Sequence, residues 1–181
     1  MPRIDLHTHS NRSDGTFEPA EVVRLAAERA LNVMVRNAAA AGLDVVALTD
    51  HDTTDGLAEA LATGSVVGVE VVPGVEFSAE FEGNSVHVLC YWMDPQDPAL
   101  QLELRRLRED RFRRGELMVG KLQELGLPVA FQRVRAIAGD ATIVRPHVAQ
   151  AMVEAGVVAT EKEAFERYIG DGGPAHVAKH A

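Results

Sequence analysis

Apolar positions along the chain follow two rhythms, and the change from one to the other falls near residue 93. Residues 4–8 predict a short strand entering the core, with His7 and His9 on one side and Leu6 on the other. Thr16-Phe17-Glu18-Pro19 reads as a helix start with Pro19 in the first turn. Val22, Val23, Leu25, Ala26 and Ala30 continue a helical stripe that Gly42 ends. Val45-Val46-Ala47-Leu48 is an unbroken apolar run, the pattern of a parallel strand covered on both faces. The spacing then predicts a short helix over 56–62 and a β-branched strand over 66–72 stopped by Pro73-Gly74. Period-two alternation over 75–81, the turn cluster Glu82-Gly83-Asn84 and the run 85–92 predict a hairpin.

Beyond residue 93 only helical periods recur. Residues 99–125 predict one long amphipathic helix, with Leu100, Leu104, Leu107, Leu117, Met118 and Leu122 on its apolar side. Arg105, Arg106, Arg108, Arg111, Arg113, Arg114 and Lys121 interleave with acids on a solvated side. A phosphate-contacting flank is the functional alternative for those cations. Gly126-Leu127-Pro128 stops the helix, and further helices are expected near 131–138, 145–154 and 161–168. The expected fold class is therefore α/β, with a helical second half.

Composition narrows this picture. A chain of 181 residues with 46% hydrophobic content can bury a core of its own. A formal net charge of -9 argues against broad affinity for nucleic acid or membrane. Cys90 is the only cysteine, which rules out a disulfide framework within the chain and fits a reducing, cytoplasmic setting. No apolar leader and no run of membrane-span length are present in the sequence.

The candidate chemistry is carried by histidines and acids. His7 and His9, two residues apart at a strand end, can grip one metal ion, and Asp14 adds an oxygen ligand after a turn. Imidazole with carboxylate suits zinc, manganese or iron rather than calcium. His51 ends the second strand in Thr49-Asp50-His51-Asp52, so His7, His9 and His51 all fall where parallel sheets bind ligands. Glu76, His87 and the helix-start triplet Arg145-Pro146-His147 complete the set. Each has a bland alternative: a surface His-x-His, a structural His87, a solvated Glu76, an ordinary helix start. Chance would have to place all of them together. His176 and His180, near the C-terminus, are read as non-functional.

The segments Asp5-Leu6-His7-Thr8-His9-Ser10 with Ser13-Asp14-Gly15, Ala47-Leu48-Thr49-Asp50-His51-Asp52-Thr53, Pro73-Gly74-Val75-Glu76-Phe77-Ser78, Val86-His87-Val88-Leu89 and Arg145-Pro146-His147-Val148-Ala149 occur in that order. Together they resemble the polymerase-and-histidinol-phosphatase (PHP) superfamily of metal-dependent phosphoesterases. Within it they are most similar to the bacterial branch acting on nucleoside 3′,5′-bisphosphates and RNA 5′ ends. The resemblance implies a partial, distorted (β/α)7 barrel over 1–93, a helical insertion over 94–175 acting as a substrate cover, and a return towards the barrel over 176–181. It implies two or three divalent ions (manganese, zinc or iron). His7 and His9 would hold the first; Glu76 would bridge it to a second held by His87 and His147; Asp14 and His51 would hold a third. Arg145 would contact phosphate; the donor of a proton to the leaving group is left open, with His51 a weak substitute for the family's late histidine. Asp5, Asp50 or Asp52 would orient the imidazoles.

Two departures accompany the resemblance. Family members continue past residue 181 and carry a late Asp-x-His pair that this sequence lacks. The missing strands would leave an exposed sheet edge for a partner, whether a second copy or a complementing C-terminal segment. The segment near 28–39 also looks about a dozen residues longer than the family norm. At ~1.5 Å rise per residue a continuous helix there would overshoot the sheet, so a second short helix or a loop-out is expected. The expected activity is hydrolysis of nucleotide or short-RNA phosphate monoesters by metal-activated water. The rival readings are a histidinol-phosphatase-like or polymerase-associated domain, and a non-catalytic metal-binding fragment.

Overall fold

The computed structural model describes residues 2–27, 42–82 and 84–178. The long segment near 28–39, Ala30, Gly83 and His180 lie outside the described residues. The elements run β1 (Ile4–Thr8), α1 (Pro19–Ala27), β2 (Val45–Leu48), α2 (Leu57–Val67), β3 (Glu70–Phe81), β4 (Asn84–Tyr91), α3 (Pro98–Glu124), α4 (Phe131–Ala138), α5 (Arg145–Glu154) and α6 (Glu161–Ala164). A π-helical turn, Phe165–Ile169, closes the series. The chain forms two compact units, residues 1–77 with 87–102 and residues 78–86 with 103–181. The tip of the β3–β4 hairpin thus clusters with the helical unit.

In the first unit the four strands lie in the order β1-β2-β3-β4. β2 pairs in parallel with β1, Ile4 opposite Val45, and with β3, Val46 opposite Val71. Parallel neighbours need crossovers, and α1 and α2 occupy those connections. β4 returns as the second arm of a hairpin, with the Trp92 N–H donating to the Pro73 carbonyl at 2.8 Å. Val23 and Ala26 of α1, Val46 and Leu48 of β2, Leu57 and Ala60 of α2, and Val69 and Val71 form one buried cluster. Each fully buried leucine of this set contributes about 1.5–3 kcal/mol relative to exposure.

Several expectations are corrected here. α2 continues to Val67, capped by Gly68, so 66–67 are helical although their β-branched side chains suggested strand. Such preferences are weak beside tertiary context. Pro73-Gly74 stops nothing: β3 passes through it as one strand of 12 residues. Pro73 stands opposite Trp92, just beyond the last residue of β4, so its missing N–H falls where that ladder ends. A Cβ on Gly74 would sit 2.7 Å from Thr49 Cγ2 and 3.1 Å from the Leu48 carbonyl oxygen, so glycine permits the close approach to β2. β1 does not enter the core. It is an edge strand, with Ile4 53% and Leu6 37% exposed.

In the second unit Met118, Val119 and Leu122 of α3 join Val134, Val148, Ala149, Met152, Ala164 and Ile169 in a separate core. The buried stripe of α3 is Leu104, Arg111, Gly115, Met118, Val119 and Leu122. Arg111 was expected on the solvated side and is instead buried, donating to Ser78 Oγ. Leu117 was expected inside and is 53% exposed. The stripe follows i, i+4, i+7 from Leu104, which admits 111 and excludes 117. Among the described residues no helix is long and apolar enough to cross a membrane.

Candidate metal centre

The first unit gathers its polar residues at the carboxyl ends of β1, β2 and the middle of β3. After β1 the chain curls sharply: the Ser13 and Gly15 N–H groups both donate to the Ser10 carbonyl, at 3.1 and 2.9 Å. A Cβ at Gly15 would lie 2.3 Å from the His9 carbonyl oxygen, so the loop closes only with glycine there. This curl sets Asp14 beside His9, with Oδ1 3.1 Å from Nδ1.

The loop is tied to β2 through Asp50, which is 2% exposed. Asp50 Oδ1 accepts the Ser10 N–H at 2.7 Å and the Ser13 hydroxyl at 2.8 Å, and Oδ2 accepts the Ser10 hydroxyl at 2.6 Å. β2 then meets β3 beyond Leu48: the Glu76 N–H donates to the Asp50 carbonyl at 3.2 Å, and the Asp52 N–H to the Glu76 carbonyl at 3.1 Å. That bridge aligns His51 with Glu76 across two strands.

Four imidazoles surround the Glu76 carboxylate, whose side chain is 4% exposed. Oε2 lies 2.8 Å from His7 Nε2, 3.0 Å from His9 Nε2 and 3.7 Å from His51 Nδ1. Oε1 lies 2.5 Å from His87 Nδ1. His51 also reaches the second acid, with Nε2 3.4 Å from Asp14 Oδ2. The rings form a row, with centroids 5.1 Å apart for His7–His9, 4.8 Å for His9–His51 and 4.7 Å for His51–His87.

The charges respond to this crowding. Burial disfavours the His9 cation, yet the hydrogen bond and charge of Asp14, with Glu76 and Asp50 behind it, outweigh burial and raise its pKa. Burial alone would raise the Asp14 carboxyl, but bonds and charge from His51 and His9 hold it well below the usual carboxylate range. Glu76 is likewise depressed: against burial stand the charge of His51 and the hydrogen bonds of His7 and His87.

Among the described residues three sets of side chains could each hold a cation: His7, His9 and Glu76; His9, Asp14 and His51; His51, Glu76 and His87. Within each, the ligand atoms lie within 4.8 Å of one another. The donor chemistry fits divalent ions. A neutral imidazole has one N–H and one lone pair. His9 and His51 each face carboxylate oxygens with both ring nitrogens, so in a neutral ring one lone pair opposes a carboxylate. An intervening cation removes that conflict. His51 Nδ1 is moreover buried with no hydrogen-bond partner among the described residues, a costly state for a polar atom without a ligand.

Six of the expected site residues thus meet in the first unit: His7, His9, Asp14, His51, Glu76 and His87. Glu76 is nearly buried rather than solvated. Arg145 and His147 belong to the second unit, at the start of α5. There Arg145 Nη1 donates to Asp171 Oδ1 at 2.8 Å, and the Val144 N–H donates to His147 Nδ1 at 3.3 Å. His176 Nε2 lies 3.5 Å from the same Asp171 oxygen. Sequence reasoning missed Ser10 and Ser13 as partners of Asp50. Polar loop residues carry no mark of burial, and only the fold shows them at 0% and 1% exposure.

No family model matches the chain. The chain is 36% identical over 179 residues to a 3′,5′-nucleoside bisphosphate phosphatase of Chromobacterium violaceum, covering 98% of this chain and 59% of that protein. It is 35% identical over 175 residues to a 5′-3′ exoribonuclease of Haemophilus influenzae, covering 97% and 59% respectively. Among solved structures, a Bifidobacterium adolescentis protein assigned to the metal-dependent phosphoesterases superposes with a TM-score of 0.85 at 30% identity, covering 100% of this chain and 61% of that one. The chain therefore spans about 59% of the length of these curated relatives.

Proposed function

This chain is homologous over nearly its whole length to the PHP-type metal-dependent phosphoesterases, and on that premise we propose that it carries the metal centre of a phosphoesterase acting on nucleotides. The substrate class is nucleotide phosphate esters, either the phosphate monoester of a nucleoside 3′,5′-bisphosphate or the phosphodiester next to an RNA 5′ end, in line with the names of the relatives. The four strands are the first part of a (β/α)7-type barrel, and the helical unit is its insertion.

One observation carries this reading: a nearly buried carboxylate, Glu76, ringed by four imidazoles. His7, His9 (through Nε2) and Glu76 would hold one ion, Asp14 and His51 another, and Glu76 and His87 a third. His147 is assigned as an additional ligand on its residue type and motif. Bound divalent ions supply Lewis acidity, drawing charge from phosphoryl oxygens and making water a nucleophile near neutral pH. Arg145 offers phosphate a planar, two-pronged donor.

The test is phosphate release from a nucleoside 3′,5′-bisphosphate, against histidinol phosphate as the rival substrate, with bound metal measured in parallel. In a full-length protein, His9→Ala and Glu76→Ala are expected to abolish release and reduce bound metal. Activity that survives chelation and both substitutions overturns the assignment. The 181-residue chain by itself is expected to bind metal with little or no turnover; a chain that binds none refutes the centre.

A further inference from the structure

We propose that Asp50 is a positioning residue for the metal centre, acting through Ser13 to hold His9 in the tautomer protonated at Nδ1, so that its Nε2 lone pair faces the ion. The inference rests on the metal-binding reading above and concerns residues to which that reading gives no ligand role.

The argument is an account of protons. A serine hydroxyl has one proton to donate and two lone pairs to accept with, while an ionised carboxylate only accepts. Ser10 and Ser13 both sit within hydrogen-bond distance of Asp50, at 2.6 and 2.8 Å. The Ser10 oxygen is also an acceptor, taking the Arg12 N–H at 3.2 Å. Ser13 Oγ has three neighbours: Asp50 Oδ1 at 2.8 Å, His9 Nδ1 at 3.3 Å and Asp14 Oδ1 at 3.4 Å. Its single proton goes to the shortest and charge-assisted of these, the buried Asp50 oxygen.

Ser13 therefore meets His9 Nδ1 with lone pairs. The other neighbour of that nitrogen, Asp14 Oδ1 at 3.1 Å, is an acceptor as well. A ring nitrogen between two acceptors is satisfied only as N–H. Nε2 faces a single acceptor, Glu76 Oε2 at 3.0 Å, so Ser13 accepting beside Asp14 tips the one proton of a neutral ring to Nδ1 and leaves Nε2 as the lone-pair atom. The same clasp holds the loop bearing His9 and Asp14 against the end of β2, one residue before His51. Serines at 0% and 1% exposure around a carboxylate at 2% shield this arrangement from bulk solvent.

The experiment has two readouts. First, long-range nitrogen–proton correlation spectra of the histidine rings report the His9 tautomer in metal-free protein above pH 8. The wild type is expected to show Nδ1–H at His9, and Ser13→Ala and Asp50→Asn to shift it towards a mixed or Nε2–H form while His7 and His87 stay unchanged. Second, calorimetric titration with manganese or zinc is expected to show affinity about tenfold weaker in both variants, as for other residues that orient a ligand. Ser13→Ala removes one hydroxyl and keeps the Ser10 bonds to Asp50, so it keeps the test decisive if Asp50→Asn does not fold. A wild-type His9 protonated at Nε2, or a tautomer unmoved by Ser13→Ala, overturns the inference. Absence of metal binding by wild type would instead defeat the metal-centre reading, while the tautomer result would still decide the role of Asp50.

Discussion

Glu76, His9 and His51 each belong to two of the three candidate ligand sets, whereas His7, Asp14 and His87 belong to one. Sharing concentrates the electrostatic demand on the middle of the cluster, where one carboxylate answers four rings. It also ranks the residues. Glu76→Gln is expected to lower bound manganese per chain more than His87→Ala, because it weakens two sets and removes the negative charge that would offset their cations. Elemental analysis after equilibrium dialysis measures this, and equal losses from the two variants would refute the sharing. At this scale the sequence was informative about candidate ligands, since His-x-His and the acids stand out by type. It was silent about Ser10 and Ser13, because a buried serine and a solvated one look alike until the chain folds over them.

The elements show where periodicity decides and where it misleads. The α3 boundaries agree with the pattern within one residue at each end, yet its inner face differs at Arg111 and Leu117. A helix has one inward stripe, set by the residues that pack, and a leucine about 100° away from it stays in solvent. Arg111→Ala is therefore expected to destabilise the protein by about 3 kcal/mol, through lost packing and an abandoned hydroxyl partner. Leu117→Gln is expected to stay within about 0.5 kcal/mol of wild type. Urea unfolding of both variants makes the comparison, and a larger loss at Leu117 would contradict the stripe. Pro73-Gly74 is the opposite case. As a dipeptide it signals a turn, but the closing ladder and the close approach of β2 make it strand.

For the molecule as a whole, the centre draws on chain segments far apart in sequence, so metal should protect them together. Adding manganese is expected to slow amide hydrogen exchange across residues 8–15, 49–52, 75–77 and 86–88. Because His147 is assigned to the same ions, 145–149 should gain protection as well. Exchange that slows in the first four segments but not in the fifth would remove His147 from the ligand set.

The order of secondary elements, the βαβ character of the first half, the helical second half and the list of candidate ligands were determined by local residue pattern, because hydrophobic period and side-chain chemistry act within a few residues of one another. Which side chains share a cup was decided only in three dimensions. The β2–β3 bridge sets His51 beside Glu76, and the curl at Gly15 sets Asp14 beside His9. The first is a contact between residues 25 positions apart, and the second is a turn whose tightness shows only in its backbone path; residue type alone announces neither.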